Sequence, residues 1–204
     1  MKYFMAVVSA LALAMAGCVR MPAKTAAPDA LSPEEHYRLA TIYESKGELD
    51  GALKEYDSAI KGGIKADRAY FGEGNVYFKM KKYKDAERCY LKAIELDPSG
   101  GVYYNNLGWL YMETGDIKKA EDRAREAAVR DPARAYVYLD TLGVIETAQD
   151  DYSEAEKSLD KAADLAPAGE KESLKQIYGH LLDLYLKTGD NSKASLVREK
   201  LKGL

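Results

Sequence analysis

One interval governs this 204-residue chain. Small or apolar residues stand at Ala40, Gly74, Gly108, Gly143 and Leu182, in steps of 34, 34, 35 and 39 residues. Three residues after each come Tyr43, Tyr77, Tyr111, Glu146 and Tyr185, and twelve after come Ala52, Ala86, Ala120, Ala155 and Ala194. Nineteen after come Ala59, Ala93, Ala127, Ala162 and Leu201, and three units close at the twenty-fourth position with Pro98, Pro132 and Pro167. The longest step places a four-residue insertion near residues 168–171. A repeat of this length is one supersecondary unit that cannot bury its own apolar face, so the chain must fold by stacking neighbours.

The unit from Arg68 to Pro98 shows what each repeat becomes. Tyr70, Phe71, Val76, Tyr77, Phe78 and Met80 mark one amphipathic helix, and Tyr83, Ala86, Tyr90, Ala93, Ile94 and Leu96 a second. Gly74 and Ala86 let the two backbones approach, with Tyr77 and Tyr90 filling the space beside the crossing. Pro98 lacks an amide hydrogen and ends the second helix. Ser32, Pro33 and Glu35 form a capping box with proline in the first turn, and Asp151 with Glu154 repeats that spacing. The pattern predicts helices over 34–46, 50–61, 67–80, 84–95, 101–114, 117–130, 136–148, 152–164, 171–187 and 191–202, with no competing strand.

This ladder resembles the tetratricopeptide repeat (TPR) family, in register over residues 33–201. The resemblance implies an all-α, right-handed superhelical solenoid of about five helix pairs, with units near 33–66, 67–100, 101–135, 136–170 and 171–204. Its concave face would be lined by the first helix of each pair. Two positions depart from the pattern. Glu146 stands where four units place tyrosine, which predicts either a slightly rotated helix that keeps the acid wet or a partly buried acid, the first favoured because an unpaired buried carboxylate is expensive. Arg198 replaces the series Tyr56, Tyr90, Ala124 and Leu159 on the last helix, where a polar face must end the stack.

The N-terminus carries a second signal. Lys2, an apolar run from Tyr3 to Ala14, and Met15-Ala16-Gly17-Cys18 read as a signal peptide over 1–17, its apolar run short of the roughly 20 residues a membrane span needs. The small pair before Cys18 resembles the lipobox of bacterial lipoproteins, which implies lipidation of Cys18. Ala14-Met15-Ala16 also suits ordinary signal peptidase, leaving a soluble periplasmic protein as the alternative. Residues 18–32 then form a flexible tether. Val19, not an acid, follows the cysteine, so the resemblance implies an outer-membrane anchor facing the periplasm.

Chemistry is sparse elsewhere. Cys89 reads as a small buried hydrophobe. His36 and His180 sit in distant units, and no HExxH, paired-cysteine or glycine-rich phosphate motif occurs, so an enzyme, a metal and a cofactor are not expected. Net charge is −3, which disfavours nucleic acid as a partner.

Function is therefore expected on the first-helix face. Helix phase places Tyr37, Phe71, Asn75, Phe78, Asn105, Trp109, Met112, Asp140 and Val144 there, with aromatics to supply affinity and amides to pair with an extended peptide backbone. The aromatics could equally pack against the next repeat, Trp109 above all. The expected role is a lipid-anchored, non-catalytic adaptor binding a protein segment during assembly of an envelope machine, with pilotin-like lipoproteins of type IV pili among the resemblances. The alternative is a self-associating structural lipoprotein, a homo-oligomer joined through Leu196, Val197 and Leu201, with no client in the groove.

Overall fold

The computed structural model of the protein describes residues 31–204. The expected signal peptide, Cys18 and the tether up to residue 30 lie outside the described residues. Ten α-helices follow in order: α1 (Pro33–Lys46), α2 (Leu49–Lys61), α3 (Ala66–Lys79), α4 (Tyr83–Leu96), α5 (Gly101–Glu113), α6 (Ile117–Arg130), α7 (Ala135–Ala148), α8 (Tyr152–Leu165), α9 (Lys171–Thr188) and α10 (Asn191–Lys202). Every predicted helix is present with each boundary within one residue, and the described residues contain no strand. A 3₁₀ turn at Pro132–Arg134, not anticipated, leads into α7.

Local chemistry sets the boundaries. At the start of α1 the Ser32 amide donates to Glu35 Oε2 at 2.7 Å while the Glu35 amide donates to Ser32 Oγ at 3.3 Å, a closed capping box. Asp151 caps α8 by accepting from the Glu154 amide at 3.4 Å, but the reciprocal bond expected there does not form. The turn inside each pair needs one residue with positive φ, seven positions after the anchor. Glycine fills it at Gly47, Gly115 and Gly189, whereas Lys81 (φ 58°) and Asp150 (φ 61°) must adopt it with a side chain.

Helices pack in consecutive pairs, and each pair packs on the next through its second helix. First helices also touch one another from unit to unit, while no second helix among those described touches the next second helix. The stack therefore curves with α1, α3, α5, α7 and α9 on its inner side. Ala40, Ala52, Ala86, Ala120, Ala155 and Ala194 are all fully buried at the crossings. A Cβ on Gly74 would lie 2.6 Å from Cδ1 of Tyr90, and one on Gly143 would lie 2.5 Å from Cγ of Leu159, so glycine gives the neighbouring side chain its space. On α10 Val197 is buried and covers the core, Arg198 is exposed, and Leu196 stands out at 64% exposure. Val197 is thus not available to a surface interface of the kind expected from sequence.

Glu146 corrects the sequence expectation. It is buried at 2% exposure and not turned to water. The reason lies in a tie repeated between units: Tyr111 donates to Glu87 at 2.7 Å, and Tyr185 donates to Glu156 at 2.8 Å. Each bond joins the tyrosine three positions after an anchor to the acid thirteen positions after the preceding anchor. In the fourth unit this geometry faces Glu146 toward Glu121, and Arg125 bridges them, 3.0 Å from Glu121 and 2.7 Å from Glu146. Burial raises the Glu146 pKa, opposed by the Ser158 hydroxyl and by Arg125; its Oε2 nevertheless lacks a hydrogen-bond partner of good geometry.

Gly74→Ala should cost about 1–3 kcal/mol in urea denaturation by overpacking against Tyr90, while Lys81→Gly should gain about 1 kcal/mol by relieving its left-handed backbone. Arg125→Ala should cost about 1–3 kcal/mol at neutral pH by leaving Glu146 charged and unpaired. A raised folded pKa means Glu146 takes up its proton more readily folded than unfolded, so this loss should shrink as pH falls through its folded pKa.

Candidate partner-binding cleft

The inner face carries a cleft of about 360 Å³ across the first three units, lined by Glu44, Asn75, Phe78, Lys79, Tyr90, Asn106 and Trp109. Tyr90 lines it while only 1% exposed, and the equally buried Tyr56 meets it through Glu44. Tyr56 donates to Glu44 Oε2 at 2.8 Å, and Lys79 pairs with Glu44 Oε1 at 2.6 Å. Tyr90 donates to Asn75 Oδ1 at 3.0 Å, and Asn106 Nδ2 donates to the same oxygen at 2.9 Å. Desolvation, first of all, raises both phenol pKa values, so both hydroxyls stay protonated donors at any physiological pH.

Two donors on Asn75 Oδ1 fix the amide's orientation. Its Nδ2 hydrogens make no bond within the described residues and are left for a ligand carbonyl. Phe78 and Trp109, both partly exposed, wall the cleft on either side of that amide. The arrangement offers apolar walls, an oriented donor and a short ion pair at one end. It suits an extended segment that presents a carbonyl between two bulky side chains.

Only Asn75, Phe78 and Trp109 of the residues expected on this face come together here. Tyr37 lies at the first end of the stack, its ring 5.8 Å from Tyr56 and under Arg68 at 5.2 Å, in a separate cleft with Glu34 and Ile64. Phe71 packs between Tyr90 at 5.9 Å and Tyr103 at 5.1 Å. Met112 is partly buried against the core and Val144 is partly buried on α7.

Asn105 and Asp140 differ from the expectation of exposed groove residues. Asn105 is 7% exposed, with Oδ1 lacking a hydrogen-bond partner, and the neighbouring Asn106 reaches the cleft in its place. Asp140 is 3% exposed and ties α7 to α9, accepting from Gln176 at 2.9 Å and holding His180 Nδ1 at 2.7 Å. The shift has a physical cause: first helices approach one another, so side chains pointing straight along the stack are covered by the next unit. Glu44, Lys79, Tyr90 and Asn106 were missed. Glu44 had a signal, since it occupies the slot of Phe78 one unit earlier.

Models of the tetratricopeptide repeat match at residues 67–99 and 89–122, so the second and third units, which hold most of the cleft, carry this repeat. Among curated proteins, the CTR9 homolog of Arabidopsis thaliana is 34% identical over 112 residues, covering 52% of this chain and 10% of its own length. Small glutamine-rich tetratricopeptide repeat-containing protein 2 of Mycosarcoma maydis is 33% identical over 98 residues, 48% of this chain and 28% of its own. The chain thus spans well under a third of either relative. Among solved structures, PilW, a widely conserved type IV pilus biogenesis factor, superposes with a TM-score of 0.72 at 18% identity over 84% of this chain and 76% of its own. BtubC (BKLC) from P. vanneervenii gives 0.72 at 18% over 83% and 78%, and Pseudomonas aeruginosa PilF 0.66 at 19% over 85% and 77%. At these identities the likeness shows a shared fold alone.

The Asp140 hydrogen bond, the first cause, raises the His180 pKa above its ordinary value. A raised folded pKa contributes stability that is complete below the unfolded value near 6.5 and lost as pH rises through the folded one. Proton NMR should show His180 titrating above 6.5 in the wild type and lower in Asp140→Asn. An unchanged midpoint would remove Asp140 as the cause.

Proposed function

We propose that this protein is a non-catalytic adaptor that holds an extended segment of a protein partner in the cleft between Asn75, Phe78 and Trp109. The observation that carries this reading is the Asn75 amide: its oxygen is saturated by Tyr90 and Asn106, so its hydrogens have a fixed direction and no partner among the described residues. Such an oriented donor between aromatic walls selects a backbone, with side-chain preference set by Phe78 and Trp109.

The N-terminal sequence supports a lipid anchor on Cys18 at the outer membrane, facing the periplasm. No helix among the described residues is long and apolar enough to cross a membrane. The likeness in fold to PilW and PilF supports a place in type IV pilus assembly or a related envelope machine. In that setting the anchor would fix position and the cleft would fix orientation, so the work done is local concentration of the partner.

Crosslinking in native envelopes, compared by mass spectrometry between the wild type and an Asn75, Phe78 and Trp109 triple alanine variant, tests the cleft. A partner should be lost in the variant while helix content stays unchanged; identical partner sets, or crosslinks only between copies of this chain, would favour self-association. Cys18→Ser should release the protein from membranes without weakening capture, and continued attachment would remove the lipid anchor.

A further inference from the structure

The position just before each anchor is leucine in four units, Leu39, Leu107, Leu142 and Leu181, and glutamate in one, Glu73. Leu107, Leu142 and Leu181 are core residues at no more than 2% exposure. Glu73 instead sits on α3 at a second cleft of about 840 Å³, with Tyr70, Tyr77 and Leu91 among its walls. That cleft shares no residue with the one on the inner face and lies on the opposite side of α3 from Asn75 and Phe78.

A carboxylate in a leucine position is costly unless something answers its charge. Among the described residues no ion pair does, and Arg88 opposes the burial only through its field. The sole hydrogen bond to Glu73 is from the Cys89 thiol, 3.8 Å from Oε2 and a weak donor. Two of the three α4 cations that line the cleft are paired with other acids, Arg88 with Asp85 at 3.0 Å and Lys92 with Glu95 at 2.9 Å. The other acids on the rim are also taken, since Glu87 accepts from Tyr111 and Glu95 holds Lys92. Lys84, the third, lines the cleft with no ion pair among the described residues. From α2, Asp57 adds further negative potential, the second cause after burial of a Glu73 pKa pushed up to about 7.

We propose that this outer cleft docks an arginine side chain of a protein partner, its guanidinium on the Glu73 carboxylate and its stem against Tyr70 and Tyr77. Arginine fits better than lysine, because a planar guanidinium meets a carboxylate through two donors and lies flat on aromatic rings. The site is on the outer face, so it stands whether or not the inner cleft holds a peptide. An adaptor with both would grip its partners from two sides of one helix.

The test uses the full chain and Nα-acetyl-arginine methylamide as probe, followed by backbone amide shifts in NMR. Saturable shifts should appear around Tyr70, Tyr77 and Cys89 at pH 8.5. Affinity should fall by at least about ten-fold at pH 5.5, where Glu73 is protonated, and by a similar factor in Glu73→Gln at pH 8.5. The triple alanine variant of the inner cleft should bind as the wild type does. No saturable binding, equal binding by Glu73→Gln, or loss of binding in the inner-cleft variant would each overturn the proposal. Glu73→Leu, which restores the repeat, should be more stable than the wild type, with the larger gain at pH 8.5; this keeps a binding loss in Glu73→Gln distinct from a folding defect.

Discussion

The structure depends on how closely two helix backbones can cross. At four of the five crossings a glycine or alanine on the first helix meets an alanine twelve residues later, and in the last pair Leu182 meets Ala194; all these alanines are fully buried. Any larger side chain would push the pair apart and, because each pair rests on the next, would displace every unit beyond it. The large residues are arranged around this close approach. Tyr90 lies over Gly74 and Leu159 over Gly143, so the absence of one side chain makes room for another. A solenoid has no single central core, and its stability is the sum of such local interfaces.

Between units the chain adds a polar tie to its apolar contacts. Tyr111 and Tyr185 reach back to Glu87 and Glu156, and where tyrosine is replaced by Glu146 an arginine from the preceding unit restores the connection. A related solution joins α7 to α9, where Asp140 holds His180 and Gln176. The substitutions that look like defects in the repeat are thus accommodated in pairs. Glu73 is the exception, a replaced leucine whose carboxylate forms no ion pair among the described residues and accepts only from the Cys89 thiol.

The inner cleft inherits its shape from the same packing. Tyr56 and Tyr90 are interface residues first, both 1% exposed; Tyr90 also lines the cleft, while the Tyr56 hydroxyl holds the lining residue Glu44. Asn75 is oriented by one of those hydroxyls and by an amide from the next unit. A cleft assembled from three units in this way is rigid to the extent that the stack is rigid, so little ordering of its own side chains is left to occur on occupation.

The sequence by itself determined the period, ten helices with their ends, the alanine crossings and the closed cap at Ser32, because these follow from spacing within about 34 residues of chain. It also carried the left-handed turn position through Gly47, Gly115 and Gly189, although Lys81 and Asp150 obscured it. Helix phase alone located Asn75, Phe78 and Trp109. It misplaced Asn105 and Asp140, since one helical step of about 100° separates a covered residue from an open one, and the tilt of the next unit decides which is which. Only the tertiary structure buried Glu146 beside Arg125, chose Asn106 over Asn105 and left Glu73 without an ion pair among the described residues. Each of those outcomes depends on which side chains meet between units, and the repeat, which describes one unit at a time, holds no record of that meeting.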